Sequence, residues 1–135
     1  MKSILLFGFL GILAFGIFIF FPSRAVAHDI HAKELNKLLQ ERKEGKKSFV
    51  LIDVRTSEEH KEGYIPGTDM NIPHDQIDKL PQMGVNDKNT TIILYCRSGR
   101  RSDIAKSTLL KMGYKNVLNA GGVKDWTKEG YQLSK

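Results

Sequence analysis

The residues YCRSGRRSD, positions 95–103, hold the one cysteine of the chain, Cys96, among Arg97, Ser98, Gly99, Arg100, Arg101 and Ser102. An apolar β-forming run, TIIL at 91–94, leads into it, and a helical pattern comes after it. The thiol therefore falls between the carboxyl end of a strand and the start of a helix. A tight loop at such a place turns successive backbone N–H groups into a concavity that holds anions, and the helix dipole adds positive potential. Gly99 supplies a backbone conformation that a residue with a Cβ resists. A cysteine facing that cradle is expected to titrate below the free value of ~8.5, because the thiolate is the form the cradle stabilises. Arg97, Arg100 and Arg101 strengthen the same field and can bind an oxyanion through charge-assisted hydrogen bonds. The chemistry this predicts is that of a nucleophilic sulfur anion meeting an anionic substrate and working through a covalent adduct.

Loop length separates two enzyme classes built on such a cradle. Cysteine-dependent phosphatases use a C-x5-R loop, large enough to enclose a tetrahedral phosphate. Here that arginine would fall at position 102, which is Ser102, and Arg101 gives C-x4-R. The shorter loop suits a smaller object, a single sulfur atom carried on the cysteine.

The elements that must position this loop alternate between helix and strand. Leu35, Leu38 and Leu39 share one face of a helix over 32–45, closed by Gly45. A near-continuous apolar run predicts a buried strand over 48–54, and TSEEHKEG a short helix capped by Thr56 or Ser57. Next come a turn and a short strand near 70–72, then a short helix from 74 broken by Pro81. The second long strand is NTTIILYC. A helix over 103–112 turns Ile104, Leu109 and Met112 inward. A third buried strand, KNVLNAGG, and a final helix with Trp126 on its inner face complete the chain; Gly121 and Gly122 make the turn before that helix. The pattern is that of an α/β domain with a mainly parallel sheet, in which ligands sit beyond the carboxyl ends of the strands. Cys96 occupies such an end.

At four segments the sequence resembles the single-domain rhodaneses, the thiosulfate-type sulfurtransferases, the small periplasmic members in particular. YCRSGRRS resembles their active loop, C-x-x-G-x-R, and LIDVR at 51–55 their D-V-R segment. EEHKEGYIPGT at 58–68 is similar to E-[YF]-x-x-G-H-I-P-G-A, and NIP at 71–73 to the element usually found after it. NVLNAGGVKDW at 116–126 is similar to the family's closing segment, an N-V pair followed by G-G-x-x-x-W. The chain departs from the pattern at His60, where an aromatic is usual, at Tyr64, where histidine is usual, and at Thr68, where alanine is common. It also has three residues between Gly67 and Asn71 where two are usual, which predicts a bulge or wider turn. The resemblance implies a rhodanese-like fold: a mainly parallel five-stranded sheet flanked by helices, in one domain. It implies Cys96 as catalytic nucleophile and residues 97–101 as the substrate-binding loop. Arg97 would be first to bind substrate oxyanions, Arg101 would hold the loop closed, and Arg100 would either bind substrate or face solvent. Asp53 and Arg55 would brace the loop through ion pairs. The reaction implied moves sulfane sulfur from thiosulfate to cyanide, a thiol or a protein acceptor through a Cys96 persulfide, with no cofactor.

The first 27 residues differ from the rest. After Lys2 comes an 18-residue apolar run, 4–21, then Pro22, Ser23, Arg24 and AVA at 25–27. This is the plan of a secretory signal peptide, although the run is long enough to approach a membrane anchor. Either reading exports the domain, residues 28–135, to the periplasm or outside, with the membrane as a partner only for an uncleaved leader. That domain carries 19 basic and 15 acidic residues, without the basic tract and interleaved aromatics of a nucleic-acid binder. One cysteine allows no internal disulfide. The histidines, His28, His31, His60 and His74, lack ligand spacing, so no metal is expected; His31 begins the first helix. The alternatives to a turning-over enzyme are a persulfide-carrying or accessory domain on the same loop and, disfavoured by loop length, a phosphatase or arsenate-reductase-like enzyme.

Overall fold

A computed structural model describes residues 27–135, so the expected leader lies outside the described residues except for Ala27. The strands β1 (Val50–Asp53), β2 (Met70–Asn71), β3 (Thr91–Cys96) and β4 (Asn116–Gly122) form one sheet in the order β2-β1-β3-β4. All three neighbouring pairs are parallel. The helices are α1 (Ala32–Lys43), α2 (Ser57–Glu62), α3 (Arg100–Lys111) and α4 (Val123–Lys128), with a 3-10 helix at His74–Met83. Among the described residues no helix is long and apolar enough to cross a membrane.

The α/β architecture is as predicted, with four strands in place of five. At the edge beside β4 a fifth partner begins and stops. Asp29 N and Ile30 N both donate to Asn119 O, at 2.8 and 3.3 Å, but Asn119 N donates to the Asp29 carboxylate at 2.7 Å. A side chain replaces the backbone acceptor, and the ladder cannot continue.

Alternation along β3 sorts its side chains into two cores. Ile92, Leu94 and Cys96 face a cluster with Ile52, Ile77, Leu80, Ala105 and Leu109. Ile93 and Tyr95 face the other, with Leu35, Leu39, Leu51, Ile65 and Trp126. Each large apolar side chain removed from water here contributes about 1.5–3 kcal/mol. The chain leaves β1 toward β2 on one side and β3 toward β4 on the other. The switch point thus lies between the carboxyl ends of β1 and β3, at Asp53 and Cys96.

Three local expectations are corrected. Helix α3 starts at Arg100, three residues earlier than predicted, and buries Ser102, Ala105 and Leu109. Ile104, expected inside, is 43% exposed, because it sits one residue, about 100° around the helix, from the inward Ala105. Pro81 does not break its helix: the 3-10 helix runs through it. Proline has the fixed φ of a helical turn and loses one donor, which a series of single i→i+3 turns tolerates better than an α-helix. The extra residue before Asn71 is absorbed in a turn, with Thr68 N donating to Ile65 O at 3.1 Å and Gly67 at φ +93°.

Candidate active site

The loop after β3 begins with Cys96, 1% exposed, its side chain on the α3 side of the sheet. Gly99 caps α3 with φ +105°, a left-handed conformation that only glycine adopts without strain. The loop's carbonyls are turned outward, each to its own partner. Arg97 O accepts from Lys124 N at 3.2 Å, and Ser98 O lies 3.2 Å from His28 Nε2. Gly99 O accepts from Asn119 Nδ2 and Asp103 N, both at 3.0 Å. With the carbonyls held outside, the N–H groups face in, and Gly99 N donates to Cys96 Sγ at 3.0 Å.

Burial pushes the Cys96 thiol up, yet the thiol lies below its ordinary value. Hydrogen bonds from the Ser102 hydroxyl and from the backbone N–H groups of Ser102, Gly99 and Ser98 outweigh the burial. The strongest stabilisation of the thiolate is thus hydrogen bonding. The Ser102 hydroxyl has one proton and several acceptors: Asn119 Oδ1 at 2.7 Å, Gly99 O at 3.0 Å and Sγ at 3.5 Å. The shortest contact claims it in the resting thiol, so the backbone donors are the steadier ones. Asn119 Oδ1 also accepts from Gly121 N at 3.0 Å, which orients the amide and lets this buried residue tie α3, β4 and the loop together. Gly122 is required by close approach, since a Cβ there would collide with the Arg97 carbonyl.

The arginines separate. Arg97 and Arg100 are exposed at the mouth, with Ser98. Arg101 turns aside into a two-pronged pair with Glu59, at 2.7 and 2.9 Å, and this guanidinium holds the Glu59 carboxyl down at about 2. Asp53 is fully buried and accepts from Arg55 Nη2 at 2.7 Å, while Arg55 also donates to Gly63 O at 2.7 Å and Glu59 O at 3.3 Å. Burial would lower the Arg55 pKa, but the hydrogen bonds of Asp53 raise it above the ordinary value. Among the described residues no hydrogen bond or ion pair joins Asp53 or Arg55 to residues 96–101; their link to the loop runs through Glu59 and Arg101.

His60 and Tyr64, two of the departures, stack on each other with centroids 4.5 Å apart, and His60 Nδ1 lies 2.9 Å from Asp53 Oδ2. Thr68 Oγ1 lies 2.8 Å from the Tyr95 hydroxyl and 2.6 Å from Ile65 O. Sequence reasoning missed Glu59, Asn119 and His28 as neighbours of the loop, and Ser102 as a partner of the Cys96 sulfur. Asn119, a polar residue among the buried positions of β4, was the one available signal. Among the described residues no group of three or more His, Cys, Asp or Glu side chains could hold a metal. A cavity of about 440 Å³ opens between Leu39, Gly67, Trp126 and Tyr131, and no loop residue lines it.

Comparison with known proteins bears on the chemistry of this arrangement. The family described as "Rhodanese-like domain" matches residues 31–129. Thiosulfate sulfurtransferase PspE of Escherichia coli is 43% identical over 74 residues, 55% of this chain and 70% of that protein. A sulfurtransferase of Allochromatium vinosum is 34% identical over 110 residues, covering 80% of this chain and 95% of that one. Among solved structures, a rhodanese with anions from E. coli superposes with TM-score 0.54 at 41% identity, over 58% of this chain and 91% of that one.

Proposed function

The chain belongs to the rhodanese-like family, whose sulfurtransferases it matches across the domain, and from that premise we propose that it is an exported thiosulfate sulfurtransferase with Cys96 as nucleophile. The observation that carries this reading is the convergence of backbone N–H groups on a thiol held below its ordinary pKa.

In the first half-reaction the Cys96 thiolate attacks the sulfane sulfur of thiosulfate. A new S–S bond forms to Sγ, the S–S bond of thiosulfate breaks, and its electron pair leaves with sulfite. The persulfide's outer sulfur carries the negative charge and rests among the N–H groups of residues 98–102. In the second half-reaction a thiophilic acceptor attacks that sulfur, and the pair from the broken S–S bond returns to Sγ as thiolate. Cyanide serves in an assay; a thiol or a protein thiol is the acceptor in the cell. Arg97 and Arg100, exposed at the mouth, receive the sulfonate oxygens. Arg101, paired with Glu59, is the member of the loop that holds it in place, with Asp53 and Arg55 behind Glu59. That pairing also weighs against phosphatase chemistry, which needs the last arginine on the substrate. Export rests on the basic start, the apolar run at 4–21 and the AVA site at 25–27.

The test is thiocyanate formation from thiosulfate and cyanide by the full chain in mild detergent, with Cys96→Ser beside it. Catalytic turnover in the wild type and none in the variant is expected. A stable gain of one sulfur without turnover would favour the carrier reading, and neither turnover nor gain would overturn the thiosulfate assignment.

A further inference from the structure

His28 stands 68 residues before the nucleophile and outside the motif segments, yet its ring packs against the active loop. The side chain is only 16% exposed. A Cβ added at Gly99 would lie 2.7 Å from its Nε2, and one at Gly121 would lie 2.6 Å from its Nδ1. The ring is thus wedged between two glycines, at positions where any side chain would expel it. Its backbone is tied down next door: Asp29 N donates to Asn119 O at 2.8 Å, and the Asp29 carboxylate accepts from Asn119 N at 2.7 Å and Lys106 Nζ at 2.6 Å.

The contact of consequence is His28 Nε2 with Ser98 O, 3.2 Å. A carbonyl can only accept, so Nε2 carries the hydrogen. Ser98 O and Gly99 N are the two ends of one peptide group, and Gly99 N is the donor to Cys96 Sγ at 3.0 Å. A planar peptide cannot rotate one end without the other. A donor on its carbonyl both fixes its plane and polarises its N–H, strengthening the bond that N–H makes. We infer that His28 is a positioning residue for Cys96, acting through the Ser98–Gly99 peptide to aim and polarise the N–H that stabilises the sulfur anion. The inference rests on the proposed role of Cys96 as nucleophile. Charged and titratable groups around the pair are Asp125 of α4, whose Oδ2 is 3.8 Å from His28 Nδ1, Asp29, and His31 with its ring 6.0 Å away; Arg101 acts on the sulfur from α3.

The experiment is the pH dependence of Cys96 alkylation by iodoacetamide, in the full chain, for wild type, His28→Phe and His28→Gln. Phenylalanine keeps a ring in the wedge and removes the donor; glutamine returns an N–H at about the reach of Nε2. Strengthening a charge-assisted bond by roughly 10–30% predicts a midpoint about half a pH unit higher in His28→Phe, about threefold less thiolate below the midpoint. In His28→Gln the midpoint is expected to return most of the way to wild type. An unshifted midpoint in His28→Phe would overturn the inference, as would an equal shift in both variants, which would assign the effect to ring packing. Iodoacetamide reads the thiolate whether or not thiosulfate is the donor. A shifted midpoint without thiocyanate formation therefore sinks only the thiosulfate assignment, and thiocyanate formation with no shift sinks only the role of His28.

Discussion

Asn119 shows how one buried amide decides the shape of the Cys96 loop. Its Nδ2 donates to Gly99 O, while its Oδ1 accepts from Gly121 N and the Ser102 hydroxyl. It is fully buried, so removing it leaves Gly121 N without that acceptor, with no water to replace it. Asn119→Ala is expected to cost about 1–3 kcal/mol, read as a lower urea midpoint at unchanged slope. It should also free the Ser102 proton for Gly99 O or the sulfur. A stability loss of only a few tenths would mean that the amide is replaceable. Thr68 acts in the same way at the other core. As donor to Ile65 O it leaves the Tyr95 hydroxyl to donate to Thr68 Oγ1 while accepting from Ile65 N, so the phenol in the middle of the fold is fully satisfied. Alanine, common in the family at that position, would leave the Tyr95 proton unpaired.

Helix α2 is six residues long and buries none of them, so packing cannot be what holds it. Its stability comes from its ends. Thr56 and Glu59 form a capping box, Thr56 Oγ1 accepting from Glu59 N at 3.2 Å. The same Glu59 carboxylate takes Arg101, so the cap of one helix anchors the first turn of another. The Glu59 pKa falls from the ordinary 4.5 to about 2. A carboxyl depressed in the folded state contributes stability above its unfolded pKa and loses it as pH falls through the folded one. The melting-temperature difference between wild type and Glu59→Gln should therefore be full above pH about 4.5 and shrink as pH falls toward about 2. Both partners are partly exposed, at 23% and 32%, so the neutral-pH effect is on the order of 1 kcal/mol. A difference that stayed constant down to pH 2 would show that the Arg101 pair contributes nothing.

At the scale of the whole molecule, the parallel sheet collects every carboxyl strand end on one edge, and the order β2-β1-β3-β4 opens its crevice between β1 and β3. The formal charge is +6, and Arg97 and Arg100 stand exposed at that crevice. A cleft of one sign raises the encounter rate with an anion and does so less as salt screens it. For the proposed reaction, kcat/KM toward thiosulfate should fall several-fold between ~0.05 and ~0.5 M salt, while alkylation of Cys96 by neutral iodoacetamide changes little. Equal salt sensitivity of both reactions would remove the arginine mouth from the account.

The geometry of the loop was legible in the sequence because its parts are contiguous. A cysteine closing an apolar strand, a glycine three residues on and a helix start are enough to build an N–H cradle from the backbone alone. The α/β class was legible for a similar reason: apolar runs and 3.6-residue patterns are local. What the tertiary structure decided are the partners that hold the cradle, Glu59 for Arg101, Asn119 for Ser102 and His28 for Ser98, which lie 42, 17 and 70 residues apart in the chain. No local pattern encodes such pairs; they meet because the crossovers of a parallel sheet return distant segments to one edge. The same holds for the face of α3. Periodicity fixes which residues share a face, but Ala105 rather than Ile104 turned inward because Ser102, anchored on Asn119, set the rotation of the helix.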